Sequence, residues 1–304
     1  MIRIKISKKR KMKKSFADKL IIMICILIVL VLFVSFIYPA VYVLISSVST
    51  TAMRGVGSLV PNKISFEGYK AVFESETIWN GLKNSVLYTT VGTLVSLSIT
   101  ILTAYPMSRP NFHMEKYIQV IFIFTMYFSG GMLPTYLLVK KLGMINSMWS
   151  LILPSCISVY NIFLLRSHFK SKIPQELFDA ARIDGCGHWR FLIKVAIPMS
   201  VSFLMVIAFF YMISYWNSYF NAMIYITDAD KLPLANILNN ILIKNQSGSF
   251  GTGASGSTSV ISSAERLQLL EYALIVVSSL PIIAIVVLFK KLPFKHNSFD
   301  IYKF

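Results

Sequence analysis

Apolar residues in this chain are gathered into long blocks. Six stretches hold no Asp, Glu, Lys or Arg: Leu20 to Ile45, Asn84 to Tyr105, Tyr117 to Val139, Leu142 to Leu165, Val195 to Ile226 and Tyr272 to Phe289. Crossing about 30 Å of hydrocarbon takes about 20 apolar residues in a helix. A charge at a helix centre costs roughly 2.5–3.5 kcal/mol on the insertion scale, so charge-free runs are the expected signature. The pattern predicts an all-α integral membrane protein with six transmembrane helices. The first run is too long for a cleavable signal peptide and lacks an A-x-A-like end, so a retained helix is expected.

Charge changes the picture by giving the spans a direction. Twenty-one of the 30 Lys/Arg fall in four segments: the N-terminal tail, the 106–116 turn, the 166–194 loop and the tail from Lys290. Six spans put all four on one face, and the positive-inside rule makes that face cytoplasmic. Both termini are then cytoplasmic, and the 46–83 and 227–271 loops face outward. The division is a basic tail (1–19), a six-span unit (20–289) with a cytoplasmic loop at 170–198, and a second tail (290–304).

Composition narrows the chemistry. The chain is 55% hydrophobic and 14% charged, against about 25% charged in a soluble domain. Its net charge of +17 is concentrated beside the first apolar run. That is a topology or anionic-lipid signal rather than a nucleic-acid face. Cys25, Cys156 and Cys186 lack ligand or redox-pair spacing, and the four histidines are scattered, so neither a disulfide framework nor a metal site is implied. "GTGASGST" (251–258) has Ser257 where a phosphate loop needs Lys, and reads as a flexible Gly/Ser loop. A lysine- and isoleucine-rich chain fits a low-GC Gram-positive bacterium.

One segment breaks the apolar pattern. "ELFDAARIDGCGHWRFLIKVAIPMS" (176–200) mixes acids and bases between two membrane-like runs. Pro174 suits a first helical turn, and Glu176 sits where the helix dipole favours an acid. Leu177, Ala180 and Ala181 share a face that another protein could approach closely. Gly185 follows Asp184 where a left-handed stop belongs. A helix of about eleven residues is marginal alone, so a protein partner is expected. The alternative is an amphipathic helix on the inner leaflet, which the three acids among the cations suit less well.

Asp179-Ala180-Ala181, three residues, Gly185, nine residues, then Val195-Ala196-Ile197-Pro198 resembles the EAA signature of membrane subunits in binding-protein-dependent ABC importers. The signature reads E-A-A-x3-G-x9-I-x-L-P; here Asp replaces Glu and two aliphatics differ. "NSVLYTTVGTLVSLSITILTAYPMSR" (84–109) and "SYWNSYFNAMIYI" (214–226) resemble the MalG-like carbohydrate permeases. "FSGGMLPTYLLVKKLGMINSMWSLILP" (128–154) is similar to their LplC/YtcP-like branch, although the tail departs from that branch's Gly-rich ending.

The resemblance implies a type I importer permease fold with a cytoplasmic coupling helix, on which Glu176, Asp179, Ala180, Ala181, Asp184 and Gly185 meet an ATPase. It implies a second, related permease as heterodimer partner, two cytosolic ABC ATPases that use ATP and Mg, and an extracellular solute-binding protein. No cofactor would be bound by the chain itself, and it would not be an enzyme.

For the solute path, Gly130 and Gly131 interrupt span three, and broken backbone at membrane depth belongs where it lines protein or a cavity. Trp216, Asn217 and Tyr219, with Tyr160 and Asn161, offer aromatic faces and amides suited to sugar. Helix–helix hydrogen bonding and an interfacial aromatic belt account for the same residues. An ion-gradient-driven secondary transporter is the rival class. It would need ionisable residues within the spans and inverted repeats, and neither is evident. A membrane enzyme would need a carboxylate, His or metal constellation, which Asp179 and Asp184 do not supply.

Overall fold

The computed structural model describes residues 16–49, 64–251 and 258–291. Most of the two tails (1–15 and 292–304), part of the first outer loop (50–63) and all but the two ends of the phosphate-loop look-alike at 251–258 lie outside them. Within the described residues the chain is helical throughout, apart from one isolated antiparallel bridge between Ser49 and Ile64.

Three apolar helices are long enough to span without a break. They are α1 (Phe16–Ser46), which follows the first run, α3 (Glu76–Met107) and α14 (Thr258–Lys291). The short α2 (Glu67–Glu74) precedes α3.

The other three runs are bent. α4 (Glu115–Tyr127) and α5 (Met132–Lys141) turn by 112° at Ser129-Gly130-Gly131. The break needs Gly131, whose φ of +89° is open mainly to glycine. α6 (Trp149–Ile152), with a following 3-10 turn to Ser155, meets α7 (Val159–Lys172) at 55°. α8 (Gln175–Ile183) forms the loop helix. α9 (His188–Phe191) runs through a π-helical turn into α10 (Ile197–Met199), which bends 83° at Ser200 into α11 (Val201–Trp216). Pro198 leaves the Lys194 carbonyl without its i+4 donor, which explains a break just there. Counting each bent pair as one gives up to six spans.

The described residues of the expected outer loop at 227–271 are largely helical. After α12 (Tyr219–Tyr225) and a 3-10 turn, α13 (Leu234–Gly251) packs on α14 and α3. α13 is too polar beyond Ile243 to read as a span, yet its first turns bury Leu234 and Ile237 against Val72, Ile78 and Leu274.

The main core lies where α3, α7 and α11 meet. Hydroxyl pairs cross it. Ser96 Oγ lies 2.8 Å from the Tyr215 hydroxyl and Thr100 Oγ1 2.7 Å from that of Tyr211, while Tyr215 also donates to the Ile152 carbonyl at 3.2 Å. Gly92 lets α11 come close, because a Cβ there would sit 2.9 Å from the Tyr215 ring. Small residues at the interface and hydroxyls bonding across it are how helices associate where lipid supplies no hydrophobic drive.

Candidate functional site

The charged stretch folds as the short helix its pattern predicts, and its ending is well defined. Gly185 has φ +73°. Its N–H donates to the Arg182 carbonyl at 3.0 Å, and that of Cys186 to the Ala181 carbonyl at 2.9 Å. These two bonds form a Schellman stop. At the other end Pro174 is the N-cap rather than a first-turn residue, and the helix begins at Gln175 with Glu176 in its first turn.

The burial corrects the expected face. Leu177 and Ala180 are exposed, but Ala181 is half-buried and packs on the chain's own core. The anchor is Phe178, only 2% exposed. Its ring meets Phe191 edge-on at 5.1 Å and stacks on His188 at 4.8 Å. The helix therefore does not depend on a partner to stay folded, because α9 already holds it. Glu176, Asp179, Ala180, Ile183 and Asp184 are left facing outward. None of the three acids forms an ion pair among the described residues. Among the described residues Asp179 accepts a side-chain hydrogen bond from Gln175 Nε2 alone, at 3.1 Å.

Beneath this helix lies a residue that the sequence reading passed over. Arg109, 5% exposed, places its guanidinium carbon 5.0 to 5.4 Å from the ring centres of Tyr105, Phe178 and Phe191. Burial pushes its pKa down, and the Tyr105 hydroxyl beside it offsets part of that. An arginine at the end of a predicted span looked like one more topology charge, and its three aromatic neighbours are spread over more than eighty residues of sequence. Nearby, Arg166 pairs with Glu115 and donates from Nε to the Met107 carbonyl at 2.9 Å, tying α7 to α3 and α4.

A separate polar pocket of about 220 Å³ opens where two breaks meet, after α6 and between α11 and α12. Ser155, Ser214, Asn217, Ser218 and Asn221 line it. Of the expected path residues only Asn217 is there. Trp216 is buried, and Tyr219 is committed to α13, accepting from Asn239 Nδ2 at 2.8 Å. Asn161 is buried near the N-terminus of α7, Tyr160 is exposed, and neither lines the pocket. Gly130 and Gly131 are exposed at the α4–α5 bend, also away from it. In the sequence Ser155 and Ser218 are only neighbours of Pro154 and Asn217, and Ser214 only a member of an apolar run, because the pocket exists only when two distant breaks come together.

Comparison with known proteins decides what this arrangement belongs to. Residues 86–292 match the family model described as "Binding-protein-dependent transport system inner membrane component". The chain belongs to this family. The permease is 35% identical over 229 residues to the polygalacturonan/rhamnogalacturonan transport system permease protein YtcP of Bacillus subtilis, covering 75% of this chain and 78% of that one. It is 34% identical over 251 residues to protein LplC of the same organism, covering 82% and 83%. A chain in the crystal structure of a bacterial ABC transporter that imports the acidic polysaccharide alginate superposes with a TM-score of 0.80. That match has 26% identity and covers 91% of this chain and 98% of that one. The expected resemblance to the LplC/YtcP-like branch is borne out. The permease is a membrane transport subunit rather than a catalyst, and its family implies an ATPase and a binding protein as partners.

Proposed function

We propose that the permease forms half of the pore of an ATP-driven carbohydrate importer and that α8 is its coupling helix. Residues 20–289 form the membrane unit between two cytoplasmic tails, in the plasma membrane of a Gram-positive bacterium. A related permease supplies the other half-pore, and two cytosolic ABC ATPases hydrolyse ATP with Mg. A solute-binding lipoprotein delivers oligosaccharide to the outer face.

The observation that carries the proposal is the outward face of α8. Glu176, Asp179, Ala180, Asp184 and Gly185 lie exposed on a helix clamped from beneath by Phe178. A coupling element must transmit force without unravelling. A helix with a defined stop at its C-terminal end and pinned through one buried ring does so, and a rigid element with two packings is the physical basis of switching. For the solute, the pocket between the breaks of α6–α7 and α11–α12 offers hydroxyls and amides, the complement of a sugar surface. At about 220 Å³ it is below the roughly 300 Å³ where small-molecule clefts begin, which suits a face shared with the companion subunit.

The test is uptake of labelled oligosaccharide by vesicles containing both permeases, the ATPases and the binding protein. Uptake is expected only with ATP, and Asp179→Lys should abolish it while releasing the ATPases in pull-downs and leaving the companion permease bound. Breaking the pairing of a partly desolvated interfacial charge costs roughly 2–5 kcal/mol. Uptake driven by an ion gradient without ATP would sink the proposal in favour of a secondary transporter.

A further inference from the structure

A groove of about 540 Å³ runs between the end of α3, the turn after it and the start of α9. This lies within the roughly 300–1,000 Å³ range of ligand clefts. Its walls are mainly apolar, with Leu102, Pro106, Phe112, Trp189 and Leu192 among them, and Arg109 and Asn111 stand in it. Trp189 is 68% exposed, a large indole on the rim of a membrane protein.

Three observations narrow the occupant. First, Arg109 is a buried cation without a counterion. Its Nε and Nη2 are sealed from solvent with no hydrogen-bond partner, and among the described residues no carboxylate pairs with it. The nearest acid in sequence, Glu115, is taken by Arg166. Three aromatic faces soften that burial and the Tyr105 hydroxyl stands beside the guanidinium, but neither brings a negative charge, so an anion is the missing group.

Second, the depth is that of the headgroups. The charge-free run of α3 begins at Asn84 and continues past the end of the helix to Ser108, and Arg109 is the first charge after it. From Asn84 to Ser108 that run would extend roughly 37 Å at 1.5 Å per helical residue, more than the roughly 30 Å hydrocarbon core and less than the roughly 40–45 Å that includes the headgroups, so the charge at its end falls in the headgroup layer. Third, the walls continue inward as apolar surface, through Leu102 and Leu192, toward the hydrocarbon. A soluble anion would gain nothing from them.

We propose that this groove holds an anionic phospholipid, its phosphate on Arg109 and the start of an acyl chain along Leu102, Phe112 and Trp189. The lipid completes the charge that the fold leaves open and fills the wedge beside α9, on which the coupling helix is clamped. The assignment rests on the permease reading only for the bilayer in which the chain sits.

The test uses the assembled transporter in nanodiscs and quenching of Trp189 by brominated lipid. Subtracting the signal of a Trp189→Phe complex isolates this indole. Brominated phosphatidylglycerol should quench it at a mole fraction roughly fivefold lower than brominated phosphatidylcholine, the preference one basic residue near an anionic surface carries. Arg109→Gln should remove the preference. Because that variant also disturbs the aromatic cluster under Phe178, Asn111→Asp provides an independent check, placing a carboxylate in the groove from an exposed position. It should remove the preference too.

Equal quenching by the two lipids, or a preference surviving Asn111→Asp, would overturn the assignment. Loss of the preference in millimolar inorganic phosphate would replace the lipid with a free anion. Quenching by neither lipid would show that a protein segment fills the groove. The readout needs neither transport nor ATPase retention, so its failure leaves the importer reading standing, and failure of that reading leaves this one.

Discussion

Gly185 and Phe178 do opposite work on α8, the proposed coupling helix. Gly185 bears a left-handed turn that costs an L-residue roughly 1–2 kcal/mol, yet a Cβ there meets nothing within 4 Å. Within the chain, Gly185→Ala and Gly185→Leu should therefore be nearly equal in cost. A docked ATPase breaks that tie: retention of the ATPases in pull-downs should fall further for Leu than for Ala. Equal retention would mean that no partner reaches this turn. Phe178→Ala removes a buried ring, a change that typically costs about 3–5 kcal/mol. It should loosen α8 from α9 and abolish ATP-driven uptake while leaving the membrane helices assembled, as judged by size-exclusion profile. The sequence marked Gly185 through its spacing from the acids, whereas Phe178 looked like one more apolar residue. Its importance comes from His188 and Phe191, which the Schellman turn brings back beneath it.

At the scale of elements, the contact between α3 and α11 combines close approach with hydroxyl pairs, and the two can be separated. Gly92→Ala drives a Cβ toward a Tyr215 ring held by Ser96 and the Ile152 carbonyl. Overpacking of this kind costs about 1–3 kcal/mol. Tyr215→Phe keeps the ring and deletes the hydroxyl, and interhelical hydrogen bonds in membranes average about 0.6 kcal/mol. Thermal unfolding of the solubilised complex should therefore fall more for Gly92→Ala than for Tyr215→Phe. The reverse order would mean that polar bonding, not close packing, holds these helices. Charge-free runs located the elements well and their shapes poorly. Three runs that read as single spans are broken, at Gly131, near Pro154 and at Ser200, and only the first carries a plain glycine signal.

For the whole molecule, the basic asymmetry makes a statement about sidedness that labelling can check. Ile183, 88% exposed at the end of α8, should face the cytoplasm, and the exposed Glu74 at the end of α2 the outside. In a chain with Cys25, Cys156 and Cys186 replaced, Glu74→Cys should react with an impermeant maleimide on intact cells. Ile183→Cys should react only after the membrane is opened. His188 is a poorer reporter, since its ring stacks on Phe178. Labelling of position 183 from outside would invert the topology and remove α8 from the ATPases. The isolated chain should also show no ATP turnover, and hydrolysis by homogeneous protein would contradict its place as a transport subunit.

The sequence by itself determined the class of molecule. Lipid tolerates neither unpaired backbone nor stray charge, so helices and charge-free runs are forced wherever the chain crosses, and the pattern can be read directly. It also determined the loop motif, because a helix stop and the acids before it are local features. Tertiary structure alone decided which residues share a site. The pocket of Ser155, Asn217 and Asn221 joins two breaks about sixty residues apart, and the Arg109 cluster gathers rings from three segments. Such juxtapositions depend on how helices cross, and crossing is set by small contacts such as Gly92 on Tyr215 that leave no periodic trace in the sequence.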